Sequence, residues 1–114
     1  DLQQKSTDPS DAFLLIRADY SLHRIKVEDI LLIEGLDDYL KIHLPEQKVV
    51  VTRMTMKNMM SELAHSEFVR VHKSFIVPMK KIEKVRNRII YIGNREVPIG
   101  NSYEEEFMKV LSRY

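Results

Sequence analysis

Between Phe13 and Ile99 the chain is written as short apolar runs, each closed by a turn signal, and this rhythm constrains the fold more than any other feature. Phe13-Leu14-Leu15-Ile16 is the first run, and a segment from Tyr20 to Ile25 with Leu22 and Ile25 apolar is the second. Ile30-Leu31-Leu32-Ile33 follows and is expected to end at Gly35. Asp37-Asp38 turns the chain into Tyr39–Leu44, where Leu40, Ile42 and Leu44 alternate with polar residues and so share one face of a strand. Pro45-Glu46-Gln47 turns it again into Lys48–Thr52. Lys81–Arg86, Arg88–Ile92 and Arg95–Ile99 complete the series, the last two joined by a Gly93-Asn94 hairpin turn. Eight or nine short strands with brief turns predict a mainly β domain whose sheets are antiparallel.

Two segments carry a helical period instead. Thr55 can cap a helix in which Met56, Met59, Met60 and Leu63 fall at i, i+3, i+4 and i+7; this methionine stripe reads as core packing. Near the end, Ser102 with Glu105 three residues on is a capping-box pattern, and Tyr103, Phe107, Val110, Leu111 and Tyr114 line one face of the helix it opens. Residues 1–11 (DLQQKSTDPSD) are polar and without apolar period, and read as a flexible linker ahead of a domain spanning residues 12–114. The chain opens on Asp1 rather than Met and is expected to be part of something longer.

At 114 residues there is material for one domain and one core. No apolar run approaches the ~20 residues of a bilayer span, and no basic-then-apolar leader opens the chain, so a cytoplasmic location with no membrane partner is expected. A net charge of +1 hides a strong asymmetry. Residues 1–67 hold eight Lys/Arg against twelve Asp/Glu, while residues 68–100 hold eight Lys/Arg against Glu83 and Glu96 alone. A basic third in a near-neutral chain is either the footprint of a polyanionic partner or a solvated charged face.

Catalysis finds no purchase. His23, His43, His65 and His72 are scattered, with no second ligand at metal spacing. His43 shares the polar phase of its strand with Lys41 and reads as a solvated residue. Asp37 and Asp38 are adjacent in a turn, where they point apart, and turn chemistry accounts for them. There is no glycine-rich phosphate loop and no nucleophile elbow. The expectation is a protein without enzymatic activity, metal or cofactor.

Binding fares better. Phe68-Val69-Arg70-Val71-His72-Lys73-Ser74-Phe75-Ile76-Val77 sets Arg70, His72, Lys73 and Ser74 between apolar residues. In a regular strand Arg70, His72 and Ser74 would share one side and Lys73 the other; a bend or bulge at His72-Lys73 would gather them on one rim. Arg and Lys clamp phosphates or reach guanine O6 and N7, and Ser74 can donate to a phosphate oxygen. His72 and Ser74 can equally satisfy backbone groups at a strand end. Pro98-Ile99-Gly100-Asn101-Ser102-Tyr103 leads into a helix N-terminus, where free N–H groups suit a phosphate and Asn101 can read adenine bidentately; Ser102 can instead serve as a cap.

With these residues in view the chain from Phe13 to about Leu111 resembles the LytTR DNA-binding domain, the output module of many bacterial two-component response regulators. The resemblance rests on Ile30-Leu31-Leu32-Ile33-Glu34-Gly35, Asp38-Tyr39-Leu40-Lys41-Ile42, the Phe68–Val77 segment, Lys81-Ile82 and Val97-Pro98-Ile99-Gly100, and its spelling is most similar to that of regulators from Bacteroidetes. It implies an elongated fold of antiparallel β-sheets with two short helices that sets loops, not a recognition helix, into successive major grooves. Three contact regions carry over: Asp37, Asp38 and Tyr39; Arg70, His72, Lys73 and Ser74; and Gly100, Asn101 and Ser102. The chain departs from the family pattern at Pro78, where members often carry Asn, at Asn101, where many carry Arg, and in its acidic first turn, where Asp repels phosphate yet can accept from cytosine N4.

The roles expected on this basis are base-edge contact for Lys73 and Asn101, phosphate contact for Arg70, Ser74, Lys41 and Arg95, and a base or positioning role for Asp38. Lys80, Lys81, Lys84, Arg86 and Arg88 would add longer-range attraction. The implied partners are double-stranded DNA, an upstream phospho-accepting receiver domain with its sensor kinase, and a second copy on a direct-repeat operator. The rival from the residues themselves is a β-domain that binds a protein or small ligand and no DNA; RNA binding lacks paired aromatics on neighbouring strands.

Overall fold

Ten strands and two helices make up residues 12–63 and 67–113, the residues described by the computed structural model. In order they are β1 (Phe13–Ala18), β2 (Ser21–Lys26), β3 (Leu32–Leu36), β4 (Tyr39–His43), β5 (Val49–Arg53), α1 (Met56–Glu62), β6 (Phe68–His72), β7 (Phe75–Pro78), β8 (Lys84–Arg86), β9 (Ile89–Ile92), β10 (Arg95–Pro98) and α2 (Glu104–Leu111). The expected linker at residues 1–11, His65 and Tyr114 lie outside the described residues.

The strands form three antiparallel sheets: β1-β2, the five-stranded β5-β4-β3-β7-β6, and β10-β9-β8. The five-stranded sheet is the middle layer, and its strands are apolar on both faces for that reason. Ile33, Leu40, Ile42 and Ile76 point to one side, where they bury against Leu14 and Ile16 of β1, Ile25 of β2, and Met56 and Met59 of α1. Leu32, Val69, Val71 and Val77 point to the other, against Ile90, Ile92 and Val97 of the third sheet and Phe107 of α2. Two stacked cores make an elongated body of 45 × 31 × 26 Å.

Local chemistry explains most of the elements. The run Phe13–Ile16 is an alternating strand: Leu14 and Ile16 are buried while Phe13 and Leu15 face outward. Thr55 caps α1 as its sequence implies, its Oγ1 accepting from the Asn58 N–H at 3.0 Å. Gly35 does not end its run; it sits inside β3, where an added Cβ would lie 3.4 Å from Met56 Sδ. The capping box at Ser102 is not made. Asn101–Tyr103 form a 3-10 turn, and α2 starts at Glu104 with no side-chain cap. Glu104, Glu105 and Glu106 crowd its first turn, where carboxylates interact favourably with the helix dipole. Lys81–Arg86 is not one strand either: Met79–Lys81 is a 3-10 turn and only Lys84–Arg86 pairs.

Candidate nucleic-acid interface

Strand direction decides which turns share an end of the molecule. β3 runs into Asp37-Asp38 and β6 into Lys73-Ser74, and the pairing of Glu34 with Phe75 brings the two turns side by side. The Gly35 N–H donates to the Ser74 carbonyl at 2.8 Å and ties them. β10 leads to Gly100, whose N–H donates to the Val71 carbonyl at 2.8 Å, so the loop at Asn101-Ser102 joins the same rim. The β8–β9 tip, Asn87-Arg88, is fastened beside it by the bond from the Ile99 N–H to the Arg88 carbonyl, 3.0 Å.

The basic cluster is a hairpin rather than one strand. β6 and β7 meet at Lys73-Ser74, and the register shifts by a bulge between Arg70 and His72. The Arg70 guanidinium donates to the carbonyls of His72 (3.3 Å) and Lys73 (2.7 Å) and lies 5.5 Å from the centre of the Tyr103 ring. His72 Nδ1 accepts from the Ser74 N–H at 3.1 Å, and its ring packs 5.4 Å from that of Phe75. Both side chains therefore hold the turn in shape. The exposed Lys73 ammonium has no partner among the described residues.

The first turn carries exposed Asp37, Asp38 and Tyr39, with Asp37 in the left-handed region at φ 54°. Asp38 Oδ2 lies 3.9 Å from Arg53 Nη2, and the Arg53 guanidinium stands 5.9 Å from the centre of the Tyr39 ring. Between this turn and the hairpin runs a groove lined by Asp37, Asp38, Arg53, Lys57, Asn58, Arg70, Lys73 and Ser74. Arg53, Lys57 and Asn58 escape a reading of the sequence by motif. Their signal is register: a hairpin turning about Glu46 pairs Tyr39 with Arg53.

At the third loop Asn101 and Ser102 are exposed. Asn101 Oδ1 accepts from Arg88 Nη2, and Arg88 Nε lies 3.3 Å from Glu104 Oε1. Arg88 thus belongs to the rim itself, where the sequence assigned it only distant attraction.

Other expected residues stay away from the rim. Arg95 pairs with Ile92 beside the Gly93-Asn94 turn, at the opposite end of β10 from Asn101. Lys80 lies 3.7 Å from Glu67, Lys81 donates to the Glu28 carbonyl, and Lys84 faces Tyr91. Lys41 is half-buried on the flat of β4, opposite Glu34, set back from the turn. His43 is not a solvated residue: it is half-buried and its Nε2 is 3.1 Å from Glu34 Oε1.

Exposed cations and amides are thus gathered on one rim of turns, carried by a stacked β-scaffold. The chain belongs to the LytTr DNA-binding domain family, whose model matches residues 20–112. It is 25% identical over 109 residues to a sensory transduction protein, LytT, of Enterococcus faecalis, a match covering 90% of this chain and 45% of that one. It is 24% identical over 94 residues to an uncharacterized response regulatory protein of Vibrio cholerae, covering 75% and 36% respectively. The chain thus spans less than half the length of these curated relatives. Its fold is that of a solved LytTr DNA-binding domain of a response regulator from Bacillus cereus, with TM-score 0.74 at 19% identity over 89% of this chain and 97% of that one.

Proposed function

We propose that this chain is the sequence-specific, double-stranded-DNA-binding output domain of a two-component transcriptional response regulator, working in the cytoplasm. The observation that carries the reading is the pair of backbone bonds Gly35–Ser74 and Gly100–Val71, which set three turns in one rim. Major grooves on one face of a duplex recur every ~34 Å. The longest dimension of the body, 45 Å, exceeds that repeat.

Lys73, at the tip of the hairpin, reads a base edge, and Arg70 and His72 support it by holding the turn. Ser74, Arg53 and Lys57 meet phosphates along the groove, while Asp38 positions Arg53. Asn101 and Ser102 enter the neighbouring groove. Upstream, a receiver domain phosphorylated by a sensor kinase brings two copies onto a direct repeat; the regulator names and greater length of the curated relatives support this arrangement. Selection of bound sequences from random duplex DNA with the full-length protein tests it. One enriched direct-repeat motif is expected, and the absence of any enriched sequence would refute it.

A further inference from the structure

Asn101 and Arg88 come from different turns, and their side chains meet in front of the rim. A guanidinium has donors only, so the partner it takes from the exposed Asn101 amide is the oxygen, and the Nδ2 group is left without a partner among the described residues. An asparagine reads adenine with both ends, Nδ2 donating to N7 and Oδ1 accepting from N6. With Oδ1 occupied, that mode is closed.

Arg88 is held from its other side as well. Its Nε meets Glu104 Oε1 at 3.3 Å, while its Nη1 protons and the second Nη2 proton have no partner among the described residues. Its backbone is unusual for so large a residue. Asn87 and Arg88 stand at φ 53° and 63°, and the second place in such a tip ordinarily falls to glycine.

We infer that Arg88 and Asn101 act as one reading unit that offers only donors, and that Arg88 makes the third loop specific for a guanine edge. Guanine O6 and N7 are two adjacent acceptors, the pattern a guanidinium and an unpartnered amide N–H can satisfy together. Adenine and thymine each offer one acceptor only, N7 or O4, and the adenine N6 and cytosine N4 groups are donors that would face a donor, so guanine alone satisfies the pair of donors. The inference rests on the DNA-binding reading and sharpens it.

The test is selection from random duplexes with full-length wild type, Arg88→Gly and Arg88→Lys. Glycine suits the left-handed backbone, and the Ile99–Arg88 bond uses main chain only, so the tip keeps its shape. Wild type is expected to enrich guanine at the position facing this loop. Arg88→Gly should lower the guanine-over-adenine preference there by about ten-fold or more, with the other positions unchanged. Arg88→Lys, which keeps the charge and loses the fork, should weaken the same preference more than it weakens binding to unrelated duplexes. Variants that bind every sequence more weakly and keep the guanine would overturn the inference and make Arg88 a phosphate contact. A wild type that enriches no sequence would instead remove the DNA-binding reading beneath it.

Discussion

The Gly35 N–H and the Ser74 carbonyl, 2.8 Å apart, join two turns that are nearly forty residues distant in the chain. Main-chain bonds of this kind fix the spacing of the rim without using the side chains that face the partner. On the proposed reading recognition is thereby separated from support: Lys73 projects, while Arg70 and His72 hold the turn.

Lys73→Ala tests the recognition half. Its side chain is exposed and unpartnered among the described residues, so folding stability should not change. Specific binding should weaken by about 1–3 kcal/mol if it reads a base. Fluorescence anisotropy on the selected site and on a scrambled duplex checks this; equal losses on both would deny it a base contact.

Arg70→Ala tests the support half. Two carbonyls of the tip lose their donor, and each such bond contributes roughly 0.5–1.5 kcal/mol. Urea unfolding should therefore show a loss of about 1–3 kcal/mol. Arg70→Lys should recover only part of it, because an ammonium cannot hold both carbonyls with a rigid fork.

The salt dependence of binding separates cations on the rim from cations elsewhere. Arg53→Ala and Lys57→Ala, which remove cations lining the groove, should each shallow the slope of log K against log salt by about 0.9. Arg95→Ala and Lys80→Ala, at the far end, should leave it unchanged. An equal effect from all four would mean that the basic third acts as a diffuse field.

Phe107 is fully buried among Val69, Val71, Ile90 and Val97. Phe107→Ala should cost about 3–5 kcal/mol, a large share of what a domain of this size has. Thermal melts should show it, and the folded fraction should retain its base preferences.

Much of the scaffold was legible in local pattern. Leu40 and Ile42 alternate because one face of β4 is buried, and Thr55 announces α1 because its hydroxyl satisfies an otherwise unpaired N–H. Even the unbroken run Ile30–Ile33 has its cause in the fold, since Ile33 enters one core and Leu32 the other. Ser102 misled because Asn101–Tyr103 close into a 3-10 turn, which puts Tyr103 in the N-cap place and starts the helix one residue further on, at Glu104. Gly35 misled because a glycine reads as a stop, yet here it lets β3 pass close to Met56.

By itself, then, the sequence determined the β class, the two helices and the family, since each depends on neighbours in the chain or on a contiguous motif. Only the tertiary structure decided which charges reach the rim. Arg53 arrives there by register with Tyr39, Arg88 by the bond between its carbonyl and Ile99, and Arg95 is carried away by the direction of β10. Charge is a property of composition, whereas its placement follows from strand pairing between distant segments, and that pairing is set by the burial of two cores at once.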